Sequence, residues 1–210
     1  MSIPHLHVEP LTPESFAPYG WVLGKRSSTP CEEPHFESQE LSIWREHLFD
    51  AGIVNDTEVL WVSFGDSSDV VSALEARRLT QQVIVPLTGP LILILAAPQA
   101  TRVPDMDSLR AFEIPIGMGT CIRPWCWHAT RTFSGEATAL MLSRRSTSFD
   151  LIVHLHTGAP LSESTRIPIG PHRLVASRRT NSFANAIDFT SVDDESTPLL
   201  RRSGPPSLSS

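Results

Sequence analysis

The stretch IRPWCWHATR, residues 122–131, sets two tryptophans, a cysteine and a histidine between two arginines. Imidazole titrates near neutrality, so His128 suits a general base; a metal ligand and a packed core ring are the other two roles open to it. The guanidinium of Arg123 can fork onto a carboxylate through two parallel hydrogen bonds. Trp125 and Trp127, two residues apart, would share one side of a straight strand, as core or as an aromatic wall for a ligand. The Cys126 thiol would be a nucleophile only with a cation beside it, which His128 could supply; otherwise it is a small buried hydrophobe.

Other chemistry-bearing residues are sparser. Lys25 is the only lysine, in a loop, which leaves Schiff-base chemistry one poor candidate. Glu33 and His35 lie in the loop CEEPHFESQ, where solvated charge is the ordinary state. Two H-x-H pairs occur, His5/His7 and His154/His156, and on a strand each pair would project to one side. One histidine alone cannot hold a transition metal. The three cysteines, Cys31, Cys121 and Cys126, are odd in number and lack C-x-x-C spacing, which argues for a reducing, cytoplasmic compartment.

These residues need a scaffold, and the chain reads as an all-β one. Eighteen prolines and 11 glycines punctuate many short apolar runs over 210 residues. A chain of this length buries about 70% of its unfolded surface in one domain. A short helix opens at the Thr12 cap with Pro13 in its first turn and stops at Pro18. Residues 66–79 read as a second helix, capped by Asp69, with Val70, Leu74 and Arg77 on one face. Gln82–Val85, the turn PLTGP and Leu91–Ala97 read as a hairpin. Strands follow at Phe112–Ile116, Thr120–Arg123, Trp127–Thr132 and Ala137–Ser143, with earlier ones at Trp21–Leu23 and Glu58–Phe64; such spacing suggests a sandwich or small barrel. The barrel domain is expected over residues 1–160. Residues 161–189 form an extension that packs on the barrel or on a partner subunit, and the polar, Pro/Ser-rich residues 190–210 read as a disordered tail. The net charge of −6 argues against nucleic acid as a partner. The longest apolar run, Leu91–Ala97, is too short to span a bilayer, and the N-terminus lacks the pattern of a signal peptide.

Four segments in order, LTPESFAPYGWVL, LEARRLTQQVIVPLTGPLILILAAP, PDMDSLRAF and GTCIRPWCWHAT, resemble the ureidoglycolate lyase family over roughly residues 7–147. The resemblance implies a cupin-type antiparallel β-barrel, cleavage of ureidoglycolate to glyoxylate and urea, and a homodimer. It implies a site built from His128 as base, with Arg123 or Arg77 on the substrate carboxylate and Gln82 orienting a polar oxygen. Several positions depart from the family pattern. Trp21 replaces an aspartate, Ala76 and Arg77 replace an arginine and a histidine, Arg123 replaces a histidine, and Phe64 replaces an arginine. Cupin metal sites draw on an H-x-H pair in an earlier strand, where this chain has Gln81 and Gln82, so no metal and no cofactor are expected. If Trp21, Phe64, Trp125 and Trp127 line the cavity, polar positions have become aromatic, and the substrate should be larger and less polar than ureidoglycolate. The expectation is therefore a cofactor-free lyase- or isomerase-type enzyme on a repurposed, biosynthetic small-molecule substrate. The alternatives are the family's own reaction and a non-catalytic small-molecule binder.

Overall fold

A computed structural model of the chain describes residues 2–24, 36–53, 56–65, 68–133 and 135–176. Lys25, Cys31, Glu33, His35, residues 177–189 of the extension and the 190–210 tail lie outside these residues. In chain order the elements are β1 (His5–Pro10), α1 (Pro13–Phe16), β2 (Gly20–Leu23), β3 (Phe36–Glu37), β4 (Ser42–Ile43), β5 (Thr57–Phe64), β6 (Val70–Arg77), β7 (Gln82–Pro86), β8 (Leu91–Ala96), β9 (Arg110–Ile114), β10 (Gly119–Ile122), β11 (Trp127–Arg131), β12 (Ala137–Arg144), α2 (Arg145–Thr157) and β13 (Ser164–Val175).

The strands form a closed ring in the order β1-β13-β6-β11-β8-β9 and a second sheet in the order β2-β10-β7-β12-β5. Pairing is antiparallel except at β1, which runs parallel to both β13 and β9 and so closes the ring. This is the cupin-type barrel. Strand β8 explains why its sequence is apolar without alternation: both of its faces are buried. Leu91, Leu93 and Leu95 meet the second sheet, while Ile92, Ile94 and Ala96 face the interior of the ring.

Helix α1 forms as its sequence dictates. The Thr12 side chain accepts from the Ser15 N–H, and Pro13 occupies the first turn. It seats Phe16 edge-on against Phe112, with nearby Tyr19 edge-on to Phe16 and tilted against Phe112. These rings fill one part of the space between the sheets; the rest is left to the site described below.

Three local readings are corrected. Residues 70–77 are strand β6, not a helix. Val70 and Val71 are β-branched and stiff, which favours an extended backbone. Leu74 and Ala76 enter the ring core while Glu75 and Arg77 take the other face. Asp69 caps nothing: its carboxylate takes Arg173 Nη1 at 2.7 Å. Strands β7 and β8 do not pair as a hairpin. The PLTGP turn carries the chain from one sheet to the other, β7 joining β10 and β12, and β8 joining β9 and β11. The His154/His156 segment is helix α2, ended by Gly158 in the left-handed conformation (φ 79°).

The stretch set apart from residue 161 onward supplies β13, a full member of the ring between β1 and β6. Asp150 of α2 holds the reversal that leads into it. Its carboxylate accepts from the backbone N–H groups of Leu161, Ser162, Glu163 and Ser164. Among the described residues no helix is long and apolar enough to cross a membrane.

Candidate active site

Strand register builds the site. His128 on β11 is the register partner of Glu75 on β6, and Glu75 is the partner of Arg166 on β13. Directly opposed residues share a face of the sheet. Arg166, Glu75 and His128 therefore form one row across three strands, turned toward the second sheet. Arg77, two residues beyond Glu75, lies on the same face.

Above this row is a cavity of about 540 Å³. Its floor carries Glu75, Arg77, His128, Thr130, Arg131 and Arg166. The second sheet gives an apolar roof, in which Leu60, Val62, Phe64 and Met141 are prominent, with Gln82 and Ser143 as polar exceptions. Helix α2 borders the opening with His154 and several aliphatic side chains.

The ionic arrangement is lopsided. Arg77 Nη2 donates to Glu75 Oε1 at 2.9 Å, while the buried Nη1 has no hydrogen-bond partner. His128 Nδ1 lies 3.1 Å from the Cys126 carbonyl, which only accepts, so the proton sits on Nδ1. Nε2 then presents its lone pair; it is buried, has no hydrogen-bond partner and stands 3.7 Å from Glu75 Oε1. Burial drives the His128 pKa below its ordinary value, with Glu75 opposing and Arg77 assisting. The ring is a neutral base at pH 7. Burial alone would raise Glu75, but Arg77, then His128, His154 and Arg166, outweigh it and hold the carboxyl below its ordinary range. Glu75 is ionised.

Of the sequence candidates, Phe64, Arg77, Gln82 and His128 come together at the cavity. Trp21, Arg123, Trp125 and Trp127 stand elsewhere. Trp127 alternates with His128, so its ring points into the opposite core, where Nε1 donates to the Arg102 carbonyl at 3.1 Å. Trp125 is not on a strand. It sits in the β10–β11 turn at φ 65°, with guanidinium groups of Arg78 and Arg102 over its ring. Arg123 is exposed; it donates to the Ala17 carbonyl and covers the Trp21 ring, which stacks on His47. The aromatic wall expected from the tryptophans is thus absent, and Phe64 with aliphatic neighbours takes its place.

Cys126 is a core residue. Burial raises its pKa far above the ordinary thiol value, and burial pushes Cys121 up to about 12, so neither is a nucleophile. His5 and His7 lie exposed on β1. Among the described residues no group of three or more His, Cys, Asp or Glu side chains is arranged to hold a metal ion.

Glu75, Arg131, Arg166 and His154 were not singled out as site residues from sequence. Period-two alternation in LEAR would have found Glu75. The alternation Arg166-Ile167-Pro168-Ile169 marks a strand with a charged outer face, but carries no sign of which sheet it joins.

Fold and lumen together define a cupin-type barrel with an open small-molecule cavity. The chain belongs to the ureidoglycolate lyase family, whose model matches residues 3–156. A ureidoglycolate lyase from Pseudomonas fluorescens (strain Pf0-1) is 28% identical over 175 residues, covering 80% of this chain and 98% of that one. One from Pseudomonas syringae pv. syringae (strain B728a) is 31% identical over 129 residues, covering 59% and 72%. Among solved structures, a dTDP sugar isomerase from Desulfovibrio desulfuricans G20 aligns at 12% identity with a TM-score of 0.38, over 72% of this chain and 86% of that one.

Proposed function

We propose that this chain is a lyase- or isomerase-type enzyme that moves a proton at His128 Nε2 on a small anionic molecule. The observation that carries this reading is the bare, buried Nε2 on the cavity floor with an ionised carboxylate beside it. For a ureidoglycolate-like hemiaminal the steps balance without a redox partner. Nε2 takes the hydroxyl proton, the C–O bond becomes a carbonyl as the C–N bond breaks, and the departing nitrogen receives the electron pair. That nitrogen then takes the proton back from the imidazolium, which Glu75 stabilises in the interval. In this reading Arg77 takes the substrate carboxylate and Gln82 orients an oxygen; the unpartnered Arg77 Nη1 and the presence of both residues in the cavity lining support it.

No organic cofactor is called for by this chemistry. Many cupin barrels hold a metal, but the donor set here does not fit one: the single floor carboxylate is engaged by Arg77, and guanidinium groups surround it. A cavity of 540 Å³ falls within the range of about 300–1,000 Å³ that takes drug-sized ligands. With its apolar roof, it favours a substrate with a larger apolar body than ureidoglycolate, in keeping with a repurposed biosynthetic role. The second reading is the family's own reaction, favoured by the match to nearly the full length of a bacterial ureidoglycolate lyase. Free, buried Cys121 and Cys126 accord with a reducing cytoplasm. Val59 and Trp61, exposed on edge strand β5, offer a face for a second copy and hence a homodimer.

Glyoxylate release from ureidoglycolate, measured for the wild type and His128→Ala, tests both readings. Release at no more than the spontaneous rate is expected and removes the second reading. Release abolished in His128→Ala would establish the family reaction instead, and release unchanged in the variant would remove His128 as the base.

A further inference from the structure

The charge on the cavity floor does not balance. Three guanidinium groups, from Arg77, Arg131 and Arg166, face one carboxylate, that of Glu75. The imidazoles of His128 and His154 complete the ionisable lining, and among the described residues the second sheet contributes no charged side chain to it. Glu163, just before β13, is not part of the lining and is held by Arg144 at 3.3 Å and by the Ser146 and Thr147 hydroxyls. Counting only the guanidinium groups and the carboxylate, the cavity carries an excess of two positive charges.

That excess is divided into two lobes by Glu75. The inner lobe holds Arg77 Nη1 and His128 Nε2, both buried polar atoms with no hydrogen-bond partner. Arg131 and Arg166 make the outer lobe. Burial first, and then the neighbouring Arg166, hold the Arg131 pKa below its ordinary value. Such like-charge proximity at a cavity rim is unfavourable unless an anion sits between the groups. Arg166 and His128 lie two strands apart in one row, so the lobes are separated by about 10 Å at the backbone, from a strand spacing near 4.8 Å.

We propose that the cavity takes a ligand with two anionic groups: one on Arg77 and His128, the other on Arg131 and Arg166, with an apolar body against Leu60, Val62, Phe64 and Met141. This deepens the reading of the cavity as a substrate site and rests on it. Ureidoglycolate, with one carboxylate, fills only the inner lobe.

Calorimetric titration of the full chain with adipate and with hexanoate, a dicarboxylate and a monocarboxylate of equal length, at matched ionic strength tests the proposal. Adipate is expected to bind about tenfold or more tightly, the effect of one additional charge-assisted hydrogen-bonded contact. Arg166→Gln, a change at an exposed position, should remove that advantage and leave hexanoate affinity unchanged. Equal affinities in the wild type, absence of binding by either acid, or an equal loss for both acids in Arg166→Gln would overturn the second subsite. Because binding is read and not turnover, the outcomes separate. A dicarboxylate preference alongside unchanged turnover in His128→Ala would leave the subsite standing and remove the proton-transfer reading.

Discussion

Glu75 and His128 are register partners on adjacent strands, and Glu75 Oε1 stands 3.7 Å from His128 Nε2. The ladder between β6 and β11 has this single register pair, so the contact is fixed by the backbone at one point. The carboxylate raises the imidazole's basicity against the larger opposing effect of burial. Glu75→Gln removes that support. The His128 pKa should fall further, and the acid limb of the pH–rate profile should move to lower pH. NMR titration of the imidazole in the wild type and the variant checks the shift; an upward movement would contradict the coupling.

The same depression links protonation to stability. The unfolded imidazole titrates near 6.5 and the folded one lower. The unfolded chain therefore binds more protons between the two values, and stability falls as the pH drops below 6.5 until the folded pKa is passed. Glu75, also depressed, adds a second loss below its ordinary value of 4.5. Urea unfolding of the wild type and His128→Gln at pH 7.5 and 5.5 should show a smaller pH-dependent loss in the variant.

Arg77, a residue of the cavity lining, engages Glu75 through Nη2 and leaves its buried Nη1 without a hydrogen-bond partner. Arg77→Gln leaves Glu75 without its nearest cation, and breaking a buried pair on one side costs about 3–5 kcal/mol; the lower end is expected, because Glu75 retains 30% side-chain exposure. Arg77→Lys supplies charge without the planar fork, so it should recover stability better than ligand affinity. Chemical denaturation and ligand titration on the same samples separate the two.

The strands and most of their bounds were legible from sequence because Pro, Gly and short β-rich runs act locally. Which strands pair was not. PLTGP reads as a hairpin turn, yet it joins two sheets, β7 pairing with β10 and β12 and β8 with β9 and β11. In the 70–77 segment, Val70, Leu74 and Arg77 imitate helical spacing, and the error hid Glu75, whose role depends on alternation. His128 was legible as a candidate because its residue type limits what it can do, and it lines the cavity. Arg166 was not, because its place in the site comes from β13 lying beside β6, a contact across some 90 residues that no local pattern encodes.

Trp127 illustrates the same limit and yields a further test. Its ring is buried in the ring core, one residue out of phase with His128. Trp127→Ala should destabilise the fold by about 3–5 kcal/mol, as expected for truncating a buried aromatic. Ligand affinity measured well below the melting temperature should stay within about twofold of wild type, equivalent to less than about 0.5 kcal/mol. A selective loss of affinity with little loss of stability would return Trp127 to the cavity wall.

Asp150 is not part of the cavity lining, yet it holds the reversal through which β13 brings Arg166 into the row with Glu75 and His128. Its carboxylate gathers four successive backbone N–H groups at the reversal from α2 into β13. Burial opposes its ionisation, but these hydrogen bonds dominate and hold its pKa below the ordinary carboxylate value. Hydrogen bonds to a charged group contribute about 1.5–3 kcal/mol each, and their losses are not additive. Asp150→Ala should therefore cost roughly 2–4 kcal/mol in urea unfolding. Asp150→Asn keeps one acceptor oxygen and should cost less. The decisive readout is hydrogen exchange: amides of residues 161–167 should lose protection in Asp150→Ala, while β8, enclosed on both faces, keeps its own. If β13 stayed as protected as β8, the carboxylate would not be what anchors Arg166 at the cavity mouth.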